Sequence, residues 1–423
     1  MSHEIATEKT MKQYFNIIKD PRFCLVYNEH RPFGAGPAPR RVRLNREGFT
    51  ILPGVKKKTP VRPGMLLAEH PSPEKGDLHA PIHGVITEIN ARSIFVDAVD
   101  SESFEPDAFQ DAPEPIDLIK IGAEGEELAL AVKKMGVNTR SLGQRTKTLI
   151  VNGLNPEPGV RWAEPMLAEQ SEEMRMGLEL LRRLHRADEI LLAVPEGCDT
   201  RLAGMKIVHV KPMYPNSVNE LLIKEITGEE APPDVAAVGL HNVWSLGRTG
   251  VTGLPLTETV ITIGTATDWA NYIVKNGSLV GELLEFSGIR LKSGDTILRG
   301  GPLRGESLDR LDRSITKGAY GFFVVNAGEV PPIEGNSPCI NCGACIQVCP
   351  TRIDPRMLSR YAEFGKYDMS RKENFRLCID CGLCGYVCIA RRPVLQYIRL
   401  AVKKLEEEER LSRLTPIEPV GRN

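Results

Sequence analysis

The sequence predicts a multidomain α/β protein that ends in a helical, cysteine-rich module. Three observations point to this. The chain has 423 residues, too many for one ordinary core. Between 147 and 240, compact apolar runs alternate with amphipathic helical patterns, the order that builds a largely parallel sheet. Eight of the ten cysteines fall in two tight groups near the C-terminus. The expected divisions are an N-terminal extension (1–40), a strand-and-turn segment (41–100), a parallel-sheet domain (101–250), a second small β module (251–330), the cysteine module (331–404) and a charged tail (405–423).

Composition narrows the function. At 41% apolar and 26% charged residues the chain reads as a soluble globular protein. A formal charge of −1 argues against a nucleic-acid partner, which requires a basic surface. The longest apolar runs, such as "ILLAV" (190–194), are far short of the roughly 18–20 residues that span a bilayer. The opening "MSHEIATEKTMKQYF" lacks the basic-then-apolar order of a secretory signal. The expectation is a cytoplasmic chain without a transmembrane segment, reaching the inner face of the membrane only as a peripheral part of a complex. Cys24 and Cys198 stand alone and read as buried, inert thiols.

Taken in order, "HRPFGAGPAPRR" (30–41) has too much Gly and Pro for a helix or a central strand and reads as a linker. Residues 41–98 give short apolar runs separated by turns. Their pattern "VRPGMLLAEH…HAPIHGVITEI" resembles the biotinyl/lipoyl barrel-sandwich fold, so a barrel-sandwich hybrid is expected. Lys75 is a poor match to a carrier lysine, and His79 and His83 read as surface turn histidines. "SEEMRMGLELLRRLHRA" (171–187) predicts a helix with Ser171 as its cap and Met174, Leu178, Leu181 and Leu184 on its core face. "SVNELLIKEITG" (217–228) predicts a second helix, stopped by Gly228. Residues 256–305 return to short strands and predict a β-grasp (SLBB-like) module. Its "GGPLRG" turn (300–305) has the glycines to approach a phosphate, but no P-loop lysine and hydroxyl follow.

The chemistry lies in "PCINCGACIQVCP" (338–350) and its near copy "CIDCGLCGYVC" (378–388). Both fit the run of two-cluster ferredoxins, in which three thiolates wrap one iron–sulfur cube and the fourth reaches across to the other. That run implies one 4Fe-4S cluster on Cys339, Cys342, Cys345 and Cys388, and a second on Cys378, Cys381, Cys384 and Cys349. Zinc sites show separated pairs rather than two triplets plus one. Cys388 is followed by Ile389 where the run has proline. "PRMLSRYAEFGKYDM" between the motifs reads as helix. Residues 351–404 carry twelve Lys and Arg against five Asp and Glu, an excess that compensates the anionic clusters or docks an acidic carrier.

The order of these segments, with "KTLIVNGLNPEP", "MYPNSVNELLIKEITG", "VGELLEFSG", "ILRGGPLRG" and "CGLCGYVC…VLQYIRLA", resembles the C subunit of the Rnf electron-transport complex over about residues 41–404. The central domains of that family are similar to the NADH-oxidising flavoprotein subunit of complex I, which implies a Rossmann-like sheet holding FMN and NADH on Gly-rich loops. This sequence departs from the family there. The family's Gly-Gly-x-Gly-Phe-Pro-Thr loop is replaced by "KKMGVNTRSLGQRTK" (133–147). Its acidic turn becomes "NGLNPEP" (152–158), which keeps Glu157 but has Asn155 in place of an acid. Its Tyr-Pro-x-Gly-Gly-Glu becomes "MYPNSVNE", with Ser217, Val218 and Asn219 in place of two glycines and a glutamate. Without clustered glycines the backbone does not lie flat against a flavin phosphate.

The resemblance and its departures imply an electron-transfer subunit with two 4Fe-4S clusters, no catalytic acid or base and no NADH site of its own. Its partners would be other redox subunits: a flavoprotein, a ferredoxin or membrane subunits. The alternative is an FMN-containing NADH dehydrogenase subunit, with Glu157, Tyr214, Gly300 and Gly301 as the remaining flavin contacts. A third reading is a scaffold whose clusters only hold the C-terminal domain together.

Overall fold

The computed structural model describes residues 23–25, 27, 31–100, 114–140, 142–169, 171–198, 205–328 and 337–414. Residues 1–22 of the expected extension and the tail 415–423 lie outside these. The described residues fall into two compact units, one within Cys24–Ala327 and the other comprising Phe23 with the described part of Gly328–Asn423.

The first unit is built around a four-stranded parallel sheet. Its strands are Thr148–Asn152, Glu189–Pro195, Lys206–Val210 and Val235–Gly239. In space the third strand leads, followed by the second, the first and the fourth. Helices cover both faces, which is why "LIV" (149–151) and "ILLAV" (190–194) are apolar throughout rather than alternating. Met174, Leu178, Leu181 and Leu184 of the helix Ser171–His185 are buried, as the periodicity predicts. This helix packs tightly on Leu240–Thr252. A Cβ on Gly247 would lie 1.7 Å from the Glu173 carbonyl oxygen, and one on Gly177 would lie 2.1 Å from that of Val243. The second predicted helix is Asn219–Thr227, and Gly228 ends it in the left-handed conformation with φ 80°.

A six-stranded mixed sheet adjoins it, in the order 306–308, 296–299, 321–325, 258–264, 269–275 and 33–35. Two expectations change here. Phe33–Ala35, read as linker, is an edge strand parallel to Asn271–Ile273. An edge tolerates Gly and Pro because only one side of the strand is paired. "VGELLEF", read among short strands, is the helix Val280–Phe286, with Val280, Leu283 and Leu284 turned into the core. A spacing of three and four residues outweighed the apolar run.

Residues 41–98 form two small antiparallel sheets, 41–45, 93–98, 84–89, 60–61 and 50–51, 66–69, 78–79. They share a core of Val42, Leu44, Val61, Leu67, Ile86, Ile94 and Val96. The loop before Leu78, where a carrier lysine would stand free, is fastened to residues 133–139. Gly76 N donates to Asn138 Oδ1, Thr139 N donates to the Glu74 carbonyl, and buried Lys133 pairs with Asp77 at 2.6 Å. Lys75 is exposed. Lys317 reaches the same junction, donating to the Gly136 carbonyl at 2.8 Å. His79 is not a surface turn residue. It is 5% exposed, and burial together with the Lys317 charge lowers its pKa to about 3. His83 is exposed, as expected. The lone cysteines also differ from expectation: Cys24 is exposed and Cys198 is half-buried.

In the second unit the cysteine motif and the structure following it occur twice, 39 positions apart. Asn341 and Asp380 have φ 57° and 56°, Gly343 and Gly382 have φ 77° and 80°, and Arg352 and Arg391 have φ 58° and 51°. Each motif ends in a short helix, Ala344–Gln347 or Leu383–Tyr386, and each is followed by a longer one, Pro355–Glu363 or Val394–Leu414. Asp354 caps the first of these by accepting from Met357 N, with Pro355 in the first turn. The second runs through the boundary expected at 405. Leu405 is fully buried, in a core with Leu358, Phe375, Val394, Leu395 and Ile398.

Candidate metal centres

The eight clustered cysteines fall into two rings of four. Cys339, Cys342, Cys345 and Cys388 line one cavity, beside Arg356, Ser359 and Arg392. Cys349, Cys378, Cys381 and Cys384 line another, beside Ile353, Leu395 and Ile398. Each fourth cysteine lies beyond a short helix, and that helix carries it across to the other motif's cavity. No group of three or more His, Cys, Asp or Glu among the described residues is arranged to hold a single metal ion. A zinc ion would draw its sulfurs in to roughly 2.3 Å from one point. Four thiols around a cavity suit a cube that takes one thiolate per iron.

The surroundings set the electrostatics. Burial raises the Cys345 thiol to about 11, with the Asp354 charge adding to it, and burial also raises Cys378 and Cys384. Thiolates are therefore costly in these rings until a cationic group compensates, so metal uptake would release protons and order the module. Arg392 N donates to Cys388 Sγ at 3.4 Å in the first ring, and the Thr351 hydroxyl lies 3.5 Å from Cys349 Sγ in the second. Arg356 pairs with Asp354 and Arg392 with Glu363 beside the first ring, and Arg399 grips Asp380 through two 2.6 Å bonds beside the second. The sequence reading missed these lining residues. The 39-residue repeat does not find them, since Leu395 and Ile353 stand at the positions that match Arg356 and Arg392.

The candidate flavin residues meet differently. Glu157 is fully buried, and the "GGPLRG" turn closes on its carboxylate. Gly301 N donates to Oε1 at 2.9 Å, and Leu303 N and Arg304 N donate to Oε2 at 2.9 and 3.1 Å. The Tyr320 hydroxyl donates to Oε1 at 2.6 Å, and burial followed by the Glu157 charge holds that phenol well above its ordinary pKa. The amides read as a phosphate cradle thus hold the chain's own carboxylate. Gly301 is glycine because a Cβ there would lie 2.1 Å from Glu157 Cδ, and Gly300 supplies φ 100° for the turn. Tyr214 is not part of this cluster: it is fully buried in the short strand Met213–Tyr214. Asn155 Oδ1 accepts from Ala163 N, and the Asn155 amide donates to Tyr27 Oη. Asn152 Nδ2 donates to the Ser217 carbonyl and to Asn219 Oδ1, so the altered loops tie the sheet's carboxyl edge to its own chain.

Residues 332–389 match the family of 4Fe-4S dicluster domains. The C subunit of the ion-translocating oxidoreductase complex of Rhodobacter capsulatus is 27% identical over 416 residues, covering 88% of this chain and 79% of that protein. The homologues are C subunits of ion-translocating oxidoreductase complexes. The C subunit of the proton-translocating ferredoxin:NAD(+) oxidoreductase complex of Clostridium ljungdahlii is 28% identical over 276 residues, 60% of each chain. The C subunit of the Pseudomonas aeruginosa complex is 28% identical over 283 residues, but this chain spans only 37% of it. Among solved structures, a chain of an NAD+-reducing [NiFe]-hydrogenase in the air-oxidized state is similar at TM-score 0.41 and 14% identity, over 71% of this chain and 67% of that one. Among the described residues no helix is long and apolar enough to cross a membrane.

Proposed function

We propose that this chain is an iron–sulfur electron-transfer subunit of a multi-subunit redox complex, similar to the C subunit of ion-translocating oxidoreductases. One 4Fe-4S cluster would sit on Cys339, Cys342, Cys345 and Cys388, and the other on Cys378, Cys381, Cys384 and Cys349. When bound, such a cluster supplies a one-electron store whose potential, roughly −700 to +450 mV across proteins, is set by charge, hydrogen bonds to sulfur and exposure. The chain's own part is to hold the two stores side by side and set those surroundings. The observation that carries the reading is the sorting of eight cysteines into two rings of four around separate cavities in one module.

The finer architecture belongs to the same reading: a barrel-sandwich hybrid over 41–100, a Rossmann-like domain over 101–250, an SLBB-like β-grasp module over 251–330 and a ferredoxin-type module over 331–404. Partner subunits would supply any flavin and any attachment to a membrane. The alternative, an FMN-containing NADH dehydrogenase subunit, is disfavoured because Glu157 fills the glycine turn. The deciding experiment is anaerobic reconstitution of the full chain, followed by iron and flavin determination and addition of NADH. About eight irons per chain, no stoichiometric FMN and no bleaching by NADH are expected. Stoichiometric FMN with rapid NADH bleaching would replace this reading with the alternative.

A further inference from the structure

The two rings take equivalent places in the repeat, and part of their lining is the same: Ile340 and Gly343 at the first match Ile379 and Gly382 at the second. Three other matched positions exchange apolar for polar side chains. Where Leu395, Ile398 and Ile353 line the second ring, Arg356, Ser359 and Arg392 line the first. Charge is divided in the same way. Arg356 pairs with Asp354 and Arg392 with Glu363, but it is the arginines that line the first cavity. At the second the order is reversed: Asp380 lines the cavity, and Arg399, which grips it, does not. The position matched to Asp380 is Asn341, which carries no charge. Besides burial, the Asp354 charge acts on Cys345, one carboxylate against two guanidinium groups.

Polar contacts to sulfur occur at both rings, Arg392 N to Cys388 at 3.4 Å and the Thr351 hydroxyl to Cys349 at 3.5 Å, so they do not separate the two. Donors still open do. Arg356 Nε and Arg392 Nε are buried N–H groups without a hydrogen-bond partner among the described residues, and no side chain lining the second cavity has one. A buried guanidinium N–H left unmatched costs free energy, which a sulfur-rich anion in the cavity would recover. Solvent acts in the same direction, since Cys342 of the first ring is exposed while Cys381 and Cys384 of the second are buried.

We infer that Arg356 and Arg392 set the two reduction potentials of the module apart: they make the first ring the more easily reduced, so that a single electron held by the module rests on the side of Cys339, Cys342, Cys345 and Cys388. The inference rests on the electron-transfer reading above and adds to it an order between the two stores. Reduction adds one negative charge to a site that is already anionic. A cation, an open N–H donor and solvent each favour the more negative state, whereas the Asp380 carboxylate and a leucine wall oppose it. When one electron passes between the rings, the second is oxidised and the first reduced. No bond forms or breaks, and no proton is required.

The test is a redox titration of the reconstituted full chain, followed by electron paramagnetic resonance. Two one-electron steps are expected, at least about tenfold apart in reduction equilibrium, which is about 59 mV. Arg356→Gln should lower the upper step about tenfold and leave the lower one within about twofold. Arg356→Lys should recover part of that shift, since it restores the charge without the fork of donors. Asp380→Asn should raise the lower step about tenfold. Asp380 has φ 56°, which asparagine tolerates well, so this variant keeps the loop. Iron content should be unchanged in all three. Coincident steps in the unaltered chain, or an upper step that stays in place in Arg356→Gln, would overturn the inference while leaving electron transfer intact. Should Arg356→Gln lose iron, Asp380→Asn decides instead, and a lower step that does not rise overturns the inference. Iron loss in both would make these side chains supports of the module rather than setters of its potentials, and would overturn it too. An unaltered chain with no reducible centre would instead remove the underlying reading, and this order with it.

Discussion

The cysteine loops and the 300–304 turn use similar backbone means to opposite ends. Each relies on glycine with positive φ, Gly343 and Gly382 in the loops and Gly300 in the turn. The cysteine loops enclose a cavity lined by thiols, whereas the turn encloses a side chain. Oriented amides favour an anion whatever its source. A motif of permissive residues therefore states that something negative belongs there, and only the neighbouring element says whether it is a cofactor or a carboxylate of the same chain.

The largest effects should come from the thiols. Cys342→Ser, at the exposed cysteine, should leave about four irons per chain and one reducible centre. Cys384→Ser should cost the module more than its own ring, because Cys384 belongs to the hydrophobic core with Leu358 and Phe375. Iron determination and electron paramagnetic resonance read both variants. Equal, single-ring losses would mean that the core does not depend on the metal.

Emptying the turn comes next. Glu157→Ala would leave three amides and the Tyr320 hydroxyl without their acceptor, at a cost on the order of 3–5 kcal/mol to the first unit. Denaturant melts should show this while iron content stays the same. Iron loss in Glu157→Ala would break the contrast, since the turn would then support the rings as well.

A separate effect, small near neutral pH, is a dependence on pH within the first unit. Burial lowers the pKa of His79 to about 3 and of His241 to about 4. Both are neutral when folded, while the unfolded chain takes up their protons below about pH 6.5. Their contribution is thus present above pH 6.5 and lost as pH falls toward 4, by at most about 1.4 kcal/mol per pH unit for each histidine. Melting curves of His79→Gln and His241→Gln against pH should be flatter than those of the unaltered chain. Parallel curves would place the acid sensitivity elsewhere.

Much of this was legible in residue order. The triplet-plus-one spacing named the iron–sulfur chemistry, because ligand spacing is covalent information. The core face of helix 171–185 and the stop at Gly228 were legible because helix periodicity and caps are local. Local signals failed where a distant element decided. Phe33–Ala35 became a strand because an edge at 269–275 stood open to it. His79 was buried by Lys317 and the residues around Gly136, which no turn pattern encodes.

The sequence by itself determined that this chain carries two sets of cysteines suited to iron–sulfur cubes, since the spacing of thiols along a chain limits what they can wrap. Tertiary structure alone decided that Glu157 would fill a turn 144 residues away, and that one ring would face arginine and solvent while its twin faces leucine. Such outcomes depend on which surfaces the folded chain brings together, and desolvation and charge at those surfaces act over ångströms in space rather than positions in sequence.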